Sequence, residues 1–203
     1  SYLIEVIARQ SGASWMNPIV EQMEHVPWNG FHFYDLIFPL FMFISGVAIP
    51  FSLVSKLEKK VPKHSLAKKA IGRGLILLLL GWIYNGVFSN GFENPRLLSV
   101  FGQIGLGYMF AALITIYTKD LKQRLIWLGS ILLGIGILQL LVPVPGVGAG
   151  VLTPEGCING YIDRALVPGR LHGEVFDPEG LLCVVSAVTV TLMGSLAGYI
   201  LRH

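Results

Sequence analysis

Charge is scarce in this 203-residue chain, since Asp, Glu, Lys and Arg together make up only 13% of it. Soluble domains carry about 25% charged residues. Hydrophobic residues make up 53% of the chain, and the mean hydropathy is +0.65. The composition therefore indicates a membrane protein. The formal net charge of +3 is too small to indicate a nucleic-acid partner.

The sequence also lacks the motifs of several common sites. Its two cysteines, Cys157 and Cys183, form no metal-ligand spacing with histidines, so we predict no metal. There is no GxSxG elbow, and the GVGAG run at 146–150 lacks the lysine of a phosphate-binding loop. Both cysteines fall on the predicted outer side, where a disulfide is chemically allowed, and whether they pair is left open.

The ends of the chain carry no processing signal. It has no initiator Met and no signal-peptide pattern, and it stops at Arg202-His203 directly after a hydrophobic run. We expect the chain to be part of a longer protein.

Five hydrophobic runs predict an all-α fold, a polytopic bundle of membrane helices within a single transmembrane domain over 1–203. Each run is close to the ~20 residues that cross a bilayer core, and each is apolar on all sides. The predicted spans are 36–54, 70–88, 97–117, 125–144 and 181–201. An apolar piece at 2–8 predicts the end of a partial N-terminal helix, and 145–180 predicts a long loop.

Glycine recurs inside three of these spans. Small residues let membrane helices approach closely, so we predict close packing, which permits but does not require a homodimer. The glycines are Gly102, Gly105, Gly107, Gly129, Gly134, Gly136, Gly194 and Gly198.

The charge distribution predicts the orientation. Most of the 15 basic residues lie in the connections 55–73 and 118–124 or at Arg202, which fall on one side if the spans alternate. The positive-inside rule makes that side cytoplasmic. Attraction of an anionic nucleotide is a second, less favoured explanation for the lysines. The stretch 25–35 and the loop 145–180 are then extracytoplasmic.

The stretch HVPWNGFHFYD at 25–35 places polar groups directly before a hydrophobic run. His25 is a candidate acid, base or nucleophile, or a loop histidine beside the interfacial Trp28. Asp35 is a candidate N-cap of the following helix and a candidate partner that orients a histidine. His32, among aromatic residues, is interpreted as a bystander.

Further polar residues cluster on the predicted outer side. Asp177 and Glu179 lie in a DPEG sequence that predicts a helix start capped by Asp177, whose N-terminus could also hold an anionic or carbonyl oxygen. Asp163 and Arg164 indicate a local ion pair or a short amphipathic helix. Gln103, inside a span, is expected to bond to another helix or to contact a ligand.

Four blocks of the sequence carry a resemblance to a known family. HVPWNGFHFYDLIFPLFMFISGVAI resembles the signature of the heparan-α-glucosaminide N-acetyltransferase family: a His, then Trp-Asn-Gly, then Asp-Leu-x-Phe-Pro-x-Phe-x-Phe-Ile-x-Gly. RGLILLLLGWIYNG, RLLSVFGQIGLGY, and GYIDR with FDPEGLL are similar to its later blocks, in the same order. The resemblance covers 25–185, although Ile104 stands where the family has an arginine after the glutamine.

The resemblance implies a transmembrane acyltransferase of the N-acetyltransferase type, in a bacterial inner membrane and in contact with lipid. Its donor would be cytoplasmic acetyl-CoA, and its acceptor an amino sugar or glycan on the extracytoplasmic side. His25 would carry the acetyl group or act as the base, and Asp35 would orient it. Substrate contacts are expected from Trp28, Asn29, Gln103, Asp163, Arg164, His172, Asp177 and Glu179.

Two other functions fit the same sequence. One is a polysaccharide O-acyltransferase. The other is a transporter or export protein without chemistry, because glycine-rich helices and outer polar clusters also suit a transport path.

Overall fold

The computed structural model describes Val6, Gln10 and residues 14–88 and 94–202. Within these residues the structure is helical and contains no strand. We label the helices α1 (Asn17–Gln22), α2 (Phe33–Glu58), α3 (Lys63–Tyr84), α4 (Val100–Tyr117), α5 (Leu121–Leu141), α6 (Ile158–Leu166) and α7 (Leu181–Arg202). Apart from Val6, the predicted helix end at 2–8 lies outside the described residues. The chain divides into two compact units, residues 1–41 and 42–203.

Four of these helices, α2, α4, α5 and α7, are long and apolar enough to cross a membrane. They match four of the predicted spans and confirm the prediction of an integral membrane protein with an all-α fold. The fifth predicted span, 70–88, is shifted in the structure to α3, which begins at Lys63. The first half of α3 carries four basic residues, so its uninterrupted apolar stretch is only 74–84. Length and hydropathy therefore do not establish α3 as a fifth span.

Helix α2 changes its winding along its length. It starts as a 3₁₀ turn at Phe33–Leu36, continues as α-helix at Ile37–Ile49 and becomes a π turn at Pro50–Val54. Pro50 has no backbone N–H to donate to the preceding turn, and a local change of winding is a common response to that missing bond.

Helices α3 and α4 pack antiparallel through small residues. A Cβ added to Gly105 would lie 2.9 Å from the Gly74 carbonyl oxygen, and one added to Gly81 would lie 2.0 Å from Ser99 Oγ. Ser99 also caps α4, because its hydroxyl accepts the Gly102 N–H at 3.0 Å. Larger side chains at these glycines would force the two helices apart.

Helix α7 runs parallel to α4. The Gln103 amide donates to the Cys183 carbonyl oxygen at 3.1 Å near one end, and the hydroxyls of Thr115 and Ser195 lie 3.3 Å apart near the other. Gln103 thus has the interhelical partner that its sequence position predicted. The core of the 42–203 unit is apolar, with Ile49, Leu66, Ile116 and Leu192 all at 0% exposure.

Close glycine packing is found on α4 and α7 but not on α5. A Cβ added to Gly194 would lie 2.0 Å from the Phe43 carbonyl oxygen on α2. Cβ atoms added to Gly129, Gly134 and Gly136 would meet no described atom within 4 Å. The prediction of close packing is wrong for these three glycines within the part of the chain that the structure describes.

The 42–203 unit has a basic end and a polar end. At the basic end Arg202 pairs with Glu58, and Lys63 Nζ lies 5.9 Å from the ring centroid of Tyr117. Arg124, at the start of α5, donates to Thr118 Oγ1 at 3.2 Å. The opposite end is built from the segment before α4, from α6 and from the loop before α7.

Candidate functional site

Two side chains predicted to act together are adjacent within the first 41 residues. The Nδ1 atom of His25 lies 2.6 Å from Oδ1 of Asp35. An ionised carboxylate can only accept hydrogen bonds, so this contact places the proton on Nδ1 and leaves the Nε2 lone pair available. The His25 side chain is 70% exposed. This is the geometry of a histidine oriented by a carboxylate for base or nucleophile chemistry.

The turn before α2 brings this pair together. Gly30 has φ +128°, a conformation that favours glycine, and lets the chain reverse after His25. His32 then adopts the extended N-cap conformation, and its backbone N–H donates to Asp35 Oδ2 at 2.9 Å. Asp35 therefore caps the start of α2 with Oδ2 and contacts His25 with Oδ1. Trp28, half-buried, and Asn29, exposed, lie within the turn.

His32 has a structural role that the sequence did not indicate. Its Nδ1 lies 2.9 Å from the Glu24 carbonyl oxygen, which ties the start of α2 to the segment just before His25. The Tyr34 ring packs edge-on against the His25 imidazole with centroids 4.7 Å apart. His32 and Tyr34 thus restrict the position of His25 from both sides of the turn.

A second cluster lies in the 42–203 unit, where Arg96 holds two carboxylates. Its Nη2 donates to Asp177 Oδ1 at 3.1 Å and also pairs with Glu179, while its Nε donates to Asp177 Oδ2 at 3.3 Å. Asp177 is fully buried, and it also accepts the backbone N–H of His172 at 2.7 Å. One cation is thus shared by a buried carboxylate, Asp177, and a half-buried one, Glu179, and Asp177 in turn holds the loop that contains His172.

The two carboxylates of this cluster ionise differently. Burial opposes ionisation of Asp177, but the hydrogen bonds from Arg96, from Glu179 and from the backbone N–H of His172 together outweigh it and lower the pKa of that carboxyl. Burial and the neighbouring Asp177 raise the pKa of Glu179 to about 7. Burial also disfavours the Arg96 cation, yet the two carboxylates outweigh it and raise the pKa of Arg96. The cluster therefore holds a proton on Glu179 below neutral pH.

Asp163 caps α7 in place of Asp177. Its Oδ1 accepts the Leu181 N–H at 2.8 Å, and burial raises the pKa of its carboxyl. A Cβ added to Gly180 would lie 2.0 Å from Asp163 Oδ2, so only glycine fits there. The predicted helix start at DPEG is wrong, because α7 begins at Leu181 and Asp177 instead accepts the Glu179 N–H within the preceding turn, at 3.0 Å. The predicted short helix at Asp163 and Arg164 is confirmed as α6.

The polar end contains two neighbouring cavities of about 460 Å³ and about 200 Å³. Both are lined by Arg170, Leu171 and His172, and Arg164 lines the larger. Arg164 and His172, predicted as substrate contacts, thus share a cavity. Asp163 is fully buried beneath α7 and lines neither cavity.

Sequence reasoning omitted two cations of this region, Arg96 and Arg170, from the predicted site. The Arg170 N–H donates to the Pro95 carbonyl oxygen at 3.2 Å, next to Gly169 with φ +89°. This contact joins the loop before α7 to the segment before α4. The sequence feature that could have indicated them is their position. Both are isolated arginines on the predicted outer side, where most of the acidic residues lie.

The remaining predictions for this region concern Gln103 and the cysteines. Gln103 is buried, and its Oε1 has no partner among the described residues. Both thiols are free: Cys157 Sγ accepts the Gly160 N–H, and Cys183 Sγ accepts from the Asn159 amide. The question of a disulfide, left open by the sequence, is answered against pairing in this structure.

The helices and these clusters define a helical integral membrane protein with a carboxylate-oriented histidine and a buried arginine–carboxylate cluster. No family model matches the chain. Heparan-alpha-glucosaminide N-acetyltransferase of Homo sapiens is 29% identical over 89% of this chain and 34% of its own length. The Mus musculus protein of the same name is 28% identical over 89% of this chain and 35% of its own. The chain is thus similar to these two N-acetyltransferases, and it spans about a third of their length.

Proposed function

We propose that this chain is part of a transmembrane acyltransferase that transfers an acetyl group from acetyl-CoA to an amino sugar or glycan. The observation that carries the proposal is the 2.6 Å contact between His25 Nδ1 and Asp35 Oδ1. The names of the two relatives supply the reaction class. A thioester is already activated, so the protein must contribute a nucleophile or base and must position the two substrates.

His25 can serve the reaction in two ways through Nε2. As a covalent carrier, Nε2 attacks the thioester carbonyl, the C–S bond breaks, and CoA leaves as its thiolate. The acceptor amine then displaces the imidazole and loses a proton. As a base, Nε2 instead takes the proton of the amine while the amine attacks the thioester directly, the C–S bond breaks and CoA leaves as its thiolate. In both routes Asp35 stabilises the imidazolium or fixes the ring.

The acceptor is proposed to bind at the polar end of the 42–203 unit. Arg164, Arg170 and His172 line its larger cavity and offer donors for sugar hydroxyl groups. Asp163, Asp177 and Glu179 act indirectly, since they hold the start of α7 and the loop that carries His172. Direct substrate contacts by Trp28, Asn29 and Gln103 remain predictions.

The topology is proposed from charge and helix direction. Helix α3 packs antiparallel along α4, and its 22 residues correspond to about 33 Å, enough to span as a fifth helix. The basic end would be cytoplasmic, with His25 and the polar end extracytoplasmic, as the sequence topology predicts. A bacterial inner membrane, lipid contact and a homodimer belong to the same proposal.

An acetyl-transfer assay tests the function. Full-length protein in detergent receives radiolabelled acetyl-CoA and a panel of amino sugars, and labelled product is measured. We expect His25→Ala to lower kcat by roughly 10²–10⁴-fold, the range of acid–base catalysis. Asp35→Asn should also lower kcat, because an amide cannot hold Nδ1–H in the same way. His32→Asn is the matched control, since it keeps the backbone N–H that Asp35 accepts and a side-chain donor for the Glu24 carbonyl oxygen.

The outcomes separate the alternatives. Product that resists hydroxylamine contains an amide, whereas product released by hydroxylamine contains an ester and supports polysaccharide O-acylation instead. If the wild type transfers no acetyl group but moves a solute across the membrane of reconstituted vesicles, the protein is a transporter. Full activity of His25→Ala would remove His25 from the reaction even if the transfer itself is observed.

A further inference from the structure

The smaller of the two polar cavities, about 200 Å³ in volume, has a lining rich in hydrogen-bond donors. It is lined by Asn85, Arg96, Arg170, Leu171 and His172, and among these side chains only Leu171 is apolar. Both arginines keep their charge at any physiological pH. A cavity of this size admits a compact group of a few heavy atoms, and two guanidinium groups in its wall favour a group with negative charge.

The backbone that carries Arg96 is held against the end of α3, so its side chain has a fixed origin. The Asn85 amide donates to the carbonyl oxygens of Arg96 and Leu98, at 3.0 Å and 2.8 Å. The guanidinium contacts Asp177 with Nε and Nη2, which leaves Nη1 on its opposite edge. None of the described residues accepts a hydrogen bond from Nη1. Arg96 therefore has donor capacity left for a ligand.

The charges at this cavity balance only when Glu179 is ionised. Arg96 and Arg170 supply two positive charges, and Asp177 and Glu179 supply two negative ones. Arg170 is exposed, and no described carboxylate forms an ion pair with it. A proton on Glu179 therefore leaves one positive charge at the cavity without a counter-charge, and a bound anion would supply it.

Glu179 can exchange that proton near neutral pH, because burial and the neighbouring Asp177 raise the pKa of its carboxyl to about 7. Other ionisable groups face the cluster and the cavities from α6 and from the loop before α7: Asp163, Arg164, His172 and Glu174. Among these, His172 is the competing candidate for a proton, since histidine is the side chain that most often titrates in this range.

We propose that the smaller cavity binds a compact anionic group, a carboxylate or a sulfate, and that this anion binds together with a proton on Glu179. The anion accepts hydrogen bonds from Arg96 Nη1 and from Arg170, and Glu179 takes up its proton from solvent. As pH rises through 7, Glu179 ionises, competes for the Arg96 cation, and the anion is released. The site does not depend on the proposed acetyl transfer.

The anion can come from two sources. It can be a free ion, or it can be a substituent of a larger molecule that occupies the neighbouring cavity of about 460 Å³. The second source is possible because Arg170, Leu171 and His172 line both cavities.

Equilibrium dialysis of detergent-solubilised full-length protein with radiolabelled sulfate tests the site. Sulfate keeps the same charge between pH 6 and pH 8, so any change in its affinity reports on the protein. A site that binds the anion only with Glu179 protonated should lose about 10-fold in affinity over this range. Glu179→Gln, which is neutral throughout, should bind sulfate equally at both pH values. Glu155→Gln, at an exposed position in the loop before α6, is the matched control and should keep the wild-type dependence.

Two further variants test the donors and the competing proton site. Arg170→Gln removes the uncompensated charge from an exposed position and should weaken sulfate binding at pH 6 at least ~10-fold. His172→Asn keeps the backbone N–H that Asp177 accepts and should keep the wild-type change in affinity with pH. If His172→Asn abolishes that change while Glu179→Gln retains it, the proton is on His172 and the proposal fails.

Competition experiments identify the source of the anion. If glucuronate displaces sulfate at lower concentrations than acetate does, while glucose does not displace it, the anionic group belongs to a sugar that extends into the larger cavity. If acetate and glucuronate compete equally, the site takes a free ion. Absence of saturable sulfate binding at pH 6, or equal wild-type affinities at pH 6 and pH 8, would overturn the proposal. Neither result decides whether the protein transfers acetyl groups, which the acetyl-transfer assay measures separately.

Discussion

At the scale of single residues, the Arg96 cluster couples the protonation of a carboxyl to the stability of the protein. The Arg96 cation balances one negative charge fully. Asp177 keeps that charge because its carboxyl is more deeply buried and accepts more hydrogen bonds than the carboxyl of Glu179. Glu179 is left with a raised pKa of about 7. Its proton is bound more tightly in the folded protein than in the unfolded chain, whose glutamate pKa is near 4.5.

This difference predicts a pH dependence of stability. Between about pH 4.5 and pH 7 the folded state binds more protons than the unfolded state, so the free energy of unfolding should fall as pH rises through that window. Glu179→Gln, a neutral mimic, should flatten this decline. Thermal unfolding of detergent-solubilised protein at a series of pH values measures it, and Glu174→Gln, on an exposed loop, should keep the wild-type slope. An unchanged slope in Glu179→Gln would assign the proton to another group.

The residue scale also shows what the sequence could and could not indicate. The sequence predicts roles for both His25 and Asp35, because they stand directly before a hydrophobic run in a stretch that resembles a family motif. Their 2.6 Å contact depended on Gly30 and the His32 cap. The partners of Arg96 lie more than 80 positions away, and no local pattern joins them.

At the scale of helices, the glycines of this chain lie in two different environments. On α7, Gly194 meets the α2 backbone, whereas Gly134 on α5 faces open space. The two positions look alike in sequence, since both are small residues in apolar helices. Their difference comes from which helix surfaces meet, and most of α5 lies outside the packed interior of its unit.

A matched pair of substitutions tests this distinction. Gly194→Ala should destabilise the protein by about 1–3 kcal/mol, because the added methyl overlaps the Phe43 carbonyl. Gly134→Ala should be neutral or stabilise by up to about 1 kcal/mol, through better helix propensity. Thermal unfolding in one detergent compares them. Equal losses from both substitutions would show that α5 is packed against protein at Gly134.

At the scale of the whole molecule, the charge asymmetry predicts which end faces the cytoplasm. Glu58, Arg202, Lys63 and Tyr117 meet at the basic end, which agrees with the alternation of helix directions used in the sequence prediction. Exposed Lys60 lies between α2 and α3 at this end, and exposed Glu155 lies in the loop between α5 and α6. These two positions therefore report on opposite faces.

Cysteine labelling in intact cells tests the orientation. In a background where Cys157 and Cys183 are replaced, Glu155→Cys should react with an impermeant maleimide from outside. Lys60→Cys should react only after the cells are permeabilised. The reverse pattern would invert the topology and place His25 in the cytoplasm, whereas labelling of both positions from outside would contradict a spanning α3.

The sequence alone determined the membrane class, the position of four spans, the basic end and the candidate His25. These depend on hydropathy, charge and motifs, which are properties of short stretches of chain. The tertiary structure decided that Asp163 rather than Asp177 caps α7, that Arg96 holds two carboxylates, and that Arg170 lines a cavity with it. Each of these depends on contacts between distant residues, whose free energy is set by burial and by the partners that folding supplies.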